Sequence, residues 1–284
     1  MSSQAEEPTP TDDPRHIGEL DRVSGITARE FFHEYYSKRK PVVLEGMMED
    51  WPALGMWSLE HFQSVYGNEL VRVGRCFGDT QEIKLGDYIK EMHELDPESR
   101  AAGLPPLYME GWYYRDQRPE LAKDYKVLPF FGPDWIEERW FPFNPRPLFH
   151  GILIGPKGSF TKLHYDQLAT HSWNAQLVGR KHWTLVSPDQ KDNTYIDMRQ
   201  DAGHHPGTDV DAPDLERYPL LDKLRYMTAT VHPGEMIWFP SLWMHQVLSL
   251  DDTISVTHNY LGANNVPRFL GHLFATRFLG KQGI

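Results

Sequence analysis

His164-Tyr165-Asp166, with His245 far downstream in Trp243-Met244-His245, is the set of residues in this chain best suited to chemistry. Two imidazoles and one carboxylate suit a mononuclear non-haem iron(II) site. They occupy one face of an octahedron and leave the other positions open, as oxygen chemistry requires. On a strand, residues i and i+2 point to the same face, so His164 and Asp166 can reach one ion from a single strand. His245 follows Pro240-Ser241-Leu242-Trp243, where a new strand begins, and antiparallel strands of a barrel bring such ends together. A His-x-Asp pair alone says little in a chain with 14 histidines, most of which are expected on the surface or satisfied in the core. The setting adds weight. Gly234-Glu235-Met236-Ile237-Trp238-Phe239-Pro240 reads as a turn, a strand and a stop that hold Trp243 and His245 at a fixed distance. The other histidines lack that setting. His204-His205, beside Pro206 and Gly207, read as loop residues. His171, His182, His232 and His258 have no carboxylate at ligand spacing and read as packing or supporting residues.

The elements that must position these groups differ between the two parts of the chain. Residues 1–15 are polar and read as a disordered tail. Thr27-Ala28-Arg29-Glu30 is a capping-box pattern that opens a helix through Phe31, Phe32, Tyr35 and Tyr36. Pro41 to Leu44 reads as a strand. Ser58 starts a helix with Phe62 and Val65 on its buried side. Leu70 to Val73 is a strand, Leu85 to Leu95 a helix, and Leu107-Tyr108-Met109 a short buried strand between Pro and Gly breakers. From about Leu148 short apolar runs recur between turn signals: Leu148–Ile154, Thr161–Tyr165, Asn174–Val178, His182–Val186, Tyr226–Val231, Glu235–Phe239, Gln246–Leu250 and Thr253–Tyr260. Such spacing suggests a small β-barrel or double-sheet jelly roll. The polar stretch Asp189 to Leu224 interrupts it, and a loop of that length is usually functional or mobile. Val266 to about Leu279 reads as an amphipathic helix, with Phe269, Leu270, Leu273, Phe274 and Phe278 near one face. That face either pairs with a second copy, giving a homodimer, or packs on its own barrel. The organisation expected is a tail (1–15), a helical and strand cap (16–147), a β core (148–262) and a terminal helix (263–284).

Composition sets limits. The chain has 284 residues, 40% hydrophobic and 24% charged, which fits a folded core. A net charge of −11 argues against broad binding to a phosphate backbone, so no nucleic-acid partner is expected. The one cysteine, Cys76, allows no intramolecular disulfide and no Cys-based zinc site. With no apolar run long enough for a bilayer and no secretion-signal pattern, a soluble cytoplasmic protein without a membrane partner is expected.

Three blocks together resemble the JmjC/cupin-like 2-oxoglutarate oxygenases (the cupin_8 group). They are His164-Tyr165-Asp166, the run Ser172-Trp173-Asn174-Ala175-Gln176-Leu177-Val178-Gly179-Arg180-Lys181-His182-Trp183, and Pro233-Gly234-Glu235 through His245. The likeness runs roughly from Pro41 to Tyr260. It is strongest to the small hydroxylase branch, which includes JmjC lysyl hydroxylases and the asparaginyl hydroxylase of hypoxia-inducible factor. It implies a double-stranded β-helix with iron(II), 2-oxoglutarate as cosubstrate, and O2. Carried over, His164, Asp166 and His245 match the metal ligands, and Lys181 matches the lysine for the distal carboxylate of 2-oxoglutarate. A buried dicarboxylate needs such a cation, because an unpaired buried charge is costly. Thr161, Tyr108, Asn174, Thr257 and Asn259 match further cosubstrate or supporting contacts. Thr257 and Asn259 share a strand face by their spacing, while Tyr108 reads nearly as well as core packing. Val210-Asp211, Pro213-Asp214 and Glu216-Arg217-Tyr218-Pro219 resemble an insert of the small hydroxylases, or a solvated acidic loop.

The function expected is hydroxylation of a C–H bond, with release of succinate and CO2. The substrate is a protein or peptide side chain, or in the alternative a free amino acid or natural-product intermediate. N-methyl-lysine demethylation is a third outcome of the same oxidation. A cupin that binds metal without catalysis is the reading from a different class. An open groove to the metal favours the protein substrate, and a closed pocket under the insert favours the small molecule.

Overall fold

The computed structural model describes residues 13–76, 78–135, 150–196 and 208–274. Most of the expected tail, the pair His204-His205, the start of the run at Leu148, and Phe278 with Leu279 of the terminal helix lie outside the described residues.

Eight strands form the core: β7 (His150–Gly155), β8 (Phe160–His164), β9 (His171–Val178), β10 (Lys181–Val186), β11 (Tyr226–Val231), β12 (Met236–Phe239), β13 (Met244–Ser249) and β14 (Thr253–Tyr260). They divide between two sheets, the chain crossing from one to the other at every connection except β10 to β11. One has the order β11-β10-β13-β8, the other β12-β9-β14-β7, which is the winding of a double-stranded β-helix. The amino-terminal strands β1 (His16–Glu19), β2 (Arg22–Ser24), β3 (Val42–Glu45) and β6 (Met109–Trp112) extend these sheets at their edges. β4 (Leu70–Gly74) pairs with β5 (Thr80–Lys84) in a separate ribbon.

The period-2 pattern explains both faces of the larger sheet. Trp173, Ala175 and Leu177 of β9 and Ile254, Val256 and Tyr260 of β14 point outward into a core shared with the cap. The intervening Ser172, Asn174, Thr257 and Asn259 point inward and line a cavity. The cap closes that outer face with Phe31, Trp51, Trp57, Phe62, Tyr88 and Phe131 among others. On the smaller sheet the outer face is covered by the described part of the insert. Val210, Leu221 and Leu224 pack there on Val186, Tyr226 and Met244. Val210 N–H donates to Gln246 Oε1 at 2.9 Å, and Thr184 Oγ1 donates to Asp211 Oδ1 at 3.1 Å. Residues 208–224 therefore serve as a wall support, and none of them lines the cavity.

Several local expectations need correction. The capping box at Thr27 and Glu30 forms, but α1 (Ala28–Phe31) passes into a π-turn over Phe32–Tyr36. Tyr35 and Tyr36 are buried there and Phe32 is exposed. Helix α2 (Pro52–Met56) precedes α3 (Leu59–Tyr66), where Phe62 and Tyr66 are buried but Val65 is 57% exposed. At 100° per residue the stripe through Leu59, Phe62 and Tyr66 turns Val65 about a quarter-turn aside. α4 (Leu85–Glu91) ends before Leu95, and α5 (Pro97–Ala101) follows. In α6 (Val266–Phe274) Phe269 is buried against Leu261 while Leu270 is 54% exposed, so these two do not share one buried face.

Candidate active site

His164 is the last residue of β8 and lies directly opposite His245, near the start of β13. Asp166 falls just beyond β8, but its backbone stays extended (φ −70°, ψ 151°), so the alternation from His164 persists. His164 Nε2 and His245 Nε2 each lie 3.8 Å from Asp166 Oδ1. The Nδ1–H of His164 donates to Lys162 O at 2.8 Å, and that of His245 to Trp243 O at 3.2 Å. A carbonyl only accepts, so both rings carry the proton on Nδ1 and turn the Nε2 lone pair toward Asp166. Burial holds His245 down to about 4, keeping it neutral, and raises the Asp166 carboxyl against the support of Asn259 and Ser172. Asp166 Oδ2 is buried without a hydrogen-bond partner among the described residues. A divalent ion fits this set: two oriented neutral imidazoles and a carboxylate whose burial a cation would offset.

Strained backbone flanks both segments. Leu168 (φ 54°) and Ala169 (φ 52°) follow Asp166, and Leu242 (φ 69°) precedes His245. Left-handed conformations at such residues cost of order 1–3 kcal/mol each and persist where the surroundings fix them, often at functional sites. No glycine marks these turns in the sequence, so their conformation was not legible there.

A cavity of about 210 Å³ runs from the three residues into the barrel. It is smaller than the roughly 300–1,000 Å³ of drug-sized pockets, so it suits a small cosubstrate plus one inserted side chain. Its lining includes His164, Asp166 and His245, and also Lys181, Thr161, Tyr108, Asn174, Thr257 and Asn259, so all the residues singled out from sequence meet in one space. Lys181 Nζ donates to Ser255 Oγ at 2.7 Å and to Tyr108 Oη at 3.1 Å. Burial lowers the lysine to about 7. Among the described residues no carboxylate pairs with it, so an anion placed beside it would offset its burial. Asn174 Nδ2 reaches Ser255 Oγ at 3.5 Å, and its buried Oδ1 has no partner among the described residues. Thr257 Oγ1 donates to Trp173 O at 3.1 Å. Asn259 donates to Thr170 Oγ1 at 3.2 Å and supports the Asp166 carboxylate. It therefore braces the metal end rather than the lysine end. Trp183, Phe239 and Val247 form an apolar wall, with Phe239 4.4 Å from the His245 ring.

Sequence reading missed Ser255, which shares the inward face of β14 with Thr257 and Asn259. It also missed Gly155, where any Cβ would strike the Tyr108 ring. Cys76, Glu110 and Tyr113 also line the cavity, and no motif marked them. His258 was read as lacking a carboxylate. The fold supplies Asp134, whose Oδ2 lies 2.9 Å from His258 Nε2, on the cap side of the sheet and stacked with His150.

The match to known proteins follows this geometry. The family model described as "Cupin-like domain" matches residues 28–265. The chain belongs to the cupin-like domain family. Among cupin-like relatives, it is 32% identical over 255 residues to "Lysine-specific demethylase JMJ21" of Arabidopsis thaliana, covering 87% of this chain and 26% of the relative. It is 28% identical over 270 residues to "2-oxoglutarate and iron-dependent oxygenase JMJD4" of Gallus gallus, covering 88% and 62%. It is 30% identical over 257 residues to "Bifunctional arginine demethylase and lysyl-hydroxylase psr-1" of Caenorhabditis briggsae, covering 87% and 63%. The chain thus spans from about a quarter to under two thirds of the length of these cupin-like relatives. No helix among the described residues is long and apolar enough to cross a membrane.

Proposed function

We propose that this chain is an Fe(II)- and 2-oxoglutarate-dependent dioxygenase that hydroxylates a C–H bond on a protein or peptide side chain. One observation carries the reading. His164, Asp166 and His245 converge in a cavity that also holds Lys181, which has no acidic partner among the described residues. The triad and the lysine match the two halves of the cosubstrate, a metal chelator and a distal carboxylate. Iron(II) with 2-oxoglutarate supplies the oxidative chemistry: O2, cosubstrate and a C–H bond give succinate, CO2 and an alcohol.

In this reading His164, Asp166 and His245 hold the ion, and their fixed tautomers hold its orientation. Lys181, with the Tyr108 and Ser255 hydroxyls, takes the distal carboxylate, and Thr161, Asn174 and Thr257 line the space between. Asn259 and Ser172 steady Asp166. Trp183, Phe239 and Val247 exclude water from the reacting end. Residues 16–147 act as the cap of the oxygenase unit and residues 148–262 as its barrel.

The cavity opens at Glu110 and Tyr113, the latter 41% exposed, and the described insert does not cover it. An open mouth supports a macromolecular substrate over a sequestered metabolite. Relatives named as demethylases support a second reading, in which the oxidised carbon is an N-methyl group. The buried free thiol of Cys76 supports a reducing, intracellular setting. The exposed Leu270 on α6 offers a contact for a homodimer, which light scattering of the full chain tests. The functional test is succinate release with iron(II), 2-oxoglutarate and O2. Wild-type chain should turn over, and Asp166→Ala should lose both turnover and iron binding. Full activity in that variant would defeat the ligand assignment.

A further inference from the structure

Away from the cavity, the fold sets two histidines directly opposite each other a second time. His258 on β14 pairs in register with His150 on β7, as His245 on β13 pairs with His164 on β8. His258 lies between Thr257 and Asn259, which line the cavity, so by alternation it points out of the other face of the larger sheet. Both His150 and His258 are buried there, on the side that the cap covers.

The third member comes from the cap. Trp135 N–H donates to Leu261 O at 2.9 Å, and Leu261 N–H donates back to Asp134 Oδ1 at 3.1 Å. These bonds fix the carboxylate beside the end of β14, with Oδ2 2.9 Å from His258 Nε2. One ligand atom from each of Asp134, His150 and His258 lies within 4.8 Å of the others. Ligands about 2.0–2.1 Å from a tetrahedral zinc stand roughly 3.3 Å apart, so small side-chain rotations close this set on one ion.

The surroundings hold the ligands in place. His150 Nδ1 lies 3.3 Å from Tyr125 Oη, which lies 2.6 Å from Tyr114 Oη. A partner on one ring nitrogen is the usual way a ligating histidine is oriented. Trp173 meets the His258 ring edge-on at 5.6 Å. The two imidazoles stack with centroids 3.3 Å apart and planes 28° from parallel. Rings that close repel each other when both are charged. A proton between His258 and Asp134 accounts for that pair but not for the approach of His150. One divalent ion accounts for all three, because it binds two neutral imidazoles and offsets a carboxylate only 11% exposed.

We infer that Asp134, His150 and His258 form a second metal site, for zinc or a divalent transition ion of like preference. Imidazole and carboxylate ligands suit such an ion, and a water completes a tetrahedral set. The sheet separates this site from the cavity, so its role is structural: it ties the cap at Asp134 to β7 and β14. The inference does not depend on the oxygenase reading.

The test counts zinc. Full-length chain is stripped with a chelator, equilibrated with zinc alone, desalted and analysed by plasma mass spectrometry. Wild-type chain should hold about one equivalent more than His258→Gln. Asp166→Ala/His245→Ala, which lacks two ligands of the first site, should keep about one. Zinc should raise the Tm of that double variant, and adding His258→Gln should remove the rise. Asp134→Cys loaded with cobalt(II) should gain a thiolate-to-cobalt charge-transfer band in the near ultraviolet that wild type lacks, a gain that a misfolded variant cannot mimic. Equal zinc in wild type and His258→Gln overturns the inference. So does a folded Asp166→Ala/His245→Ala chain that binds none, and so does a folded Asp134→Cys chain without the band.

Discussion

The ammonium of Lys181, 2% exposed, is held by two hydroxyls and no carboxylate among the described residues. Its pKa near 7 when folded lies below the 10.5 of an exposed lysine. Between those values the unfolded chain holds one more proton than the folded one, so stability of the unloaded protein rises with pH there. Binding of a dicarboxylate should reverse the shift. Above pH 7 the site should take up a proton with 2-oxoglutarate, and affinity should fall up to about tenfold per pH unit until 10.5. Calorimetry in buffers of different ionisation heat measures that uptake. Lys181→Met should raise the KM for 2-oxoglutarate by about a hundredfold or more, abolish the proton uptake, and flatten the stability rise. That His164, Asp166, His245 and Lys181 could be singled out in sequence reflects the local run, with its own turn and strand, in which each sits. Ser255, Glu110 and Cys76 were not. An inward serine, a glutamate at a strand edge and a lone thiol are ordinary until the fold sets them around one cavity.

At the scale of elements, alternation was the readable signal. β11 and β14 begin and end where the apolar runs do, and the other core strands shift by a few residues. Inward polar positions on β9 and β14 carry the site, and outward apolar ones carry the cap. What alternation could not show was backbone outside the usual regions: the π-turn after α1, and the left-handed Leu168, Ala169 and Leu242. Nor could it show β5, whose mostly exposed residues carry no apolar alternation to mark it as the hairpin partner of β4. Close approach between elements yields a sharper prediction. A Cβ at Gly155 on β7 would strike the Tyr108 ring. Gly155→Ala should therefore destabilise the fold by about 1–3 kcal/mol and, by moving the Tyr108 hydroxyl off Lys181, raise the KM for 2-oxoglutarate. Thermal unfolding and steady-state kinetics read the two effects.

For the whole molecule, the larger sheet is a partition, with the cavity on one side and the cap core on the other. Trp238 on β12 joins these layers. Phe31 packs edge-on at 5.0 Å, and Trp238 Nε1 donates to Tyr260 Oη at 2.8 Å. Trp238→Ala should cost about 3–5 kcal/mol in denaturant unfolding, and the cap and barrel should melt in one transition because they share that core. The cap is more than a cover, since it delivers Tyr108, Glu110 and Tyr113 to the cavity from β6 and its flanks. In the proposed function, this partitioned barrel couples 2-oxoglutarate decarboxylation to oxidation of a C–H bond through His164, Asp166 and His245. The most direct measurement is turnover under 18O2 with iron(II) and 2-oxoglutarate, following succinate and labelled peptide together. Both should appear with wild-type chain, with one labelled oxygen in the product, and neither with Asp166→Ala. Equal succinate release from the two proteins, or none from the iron-loaded wild type, would contradict it.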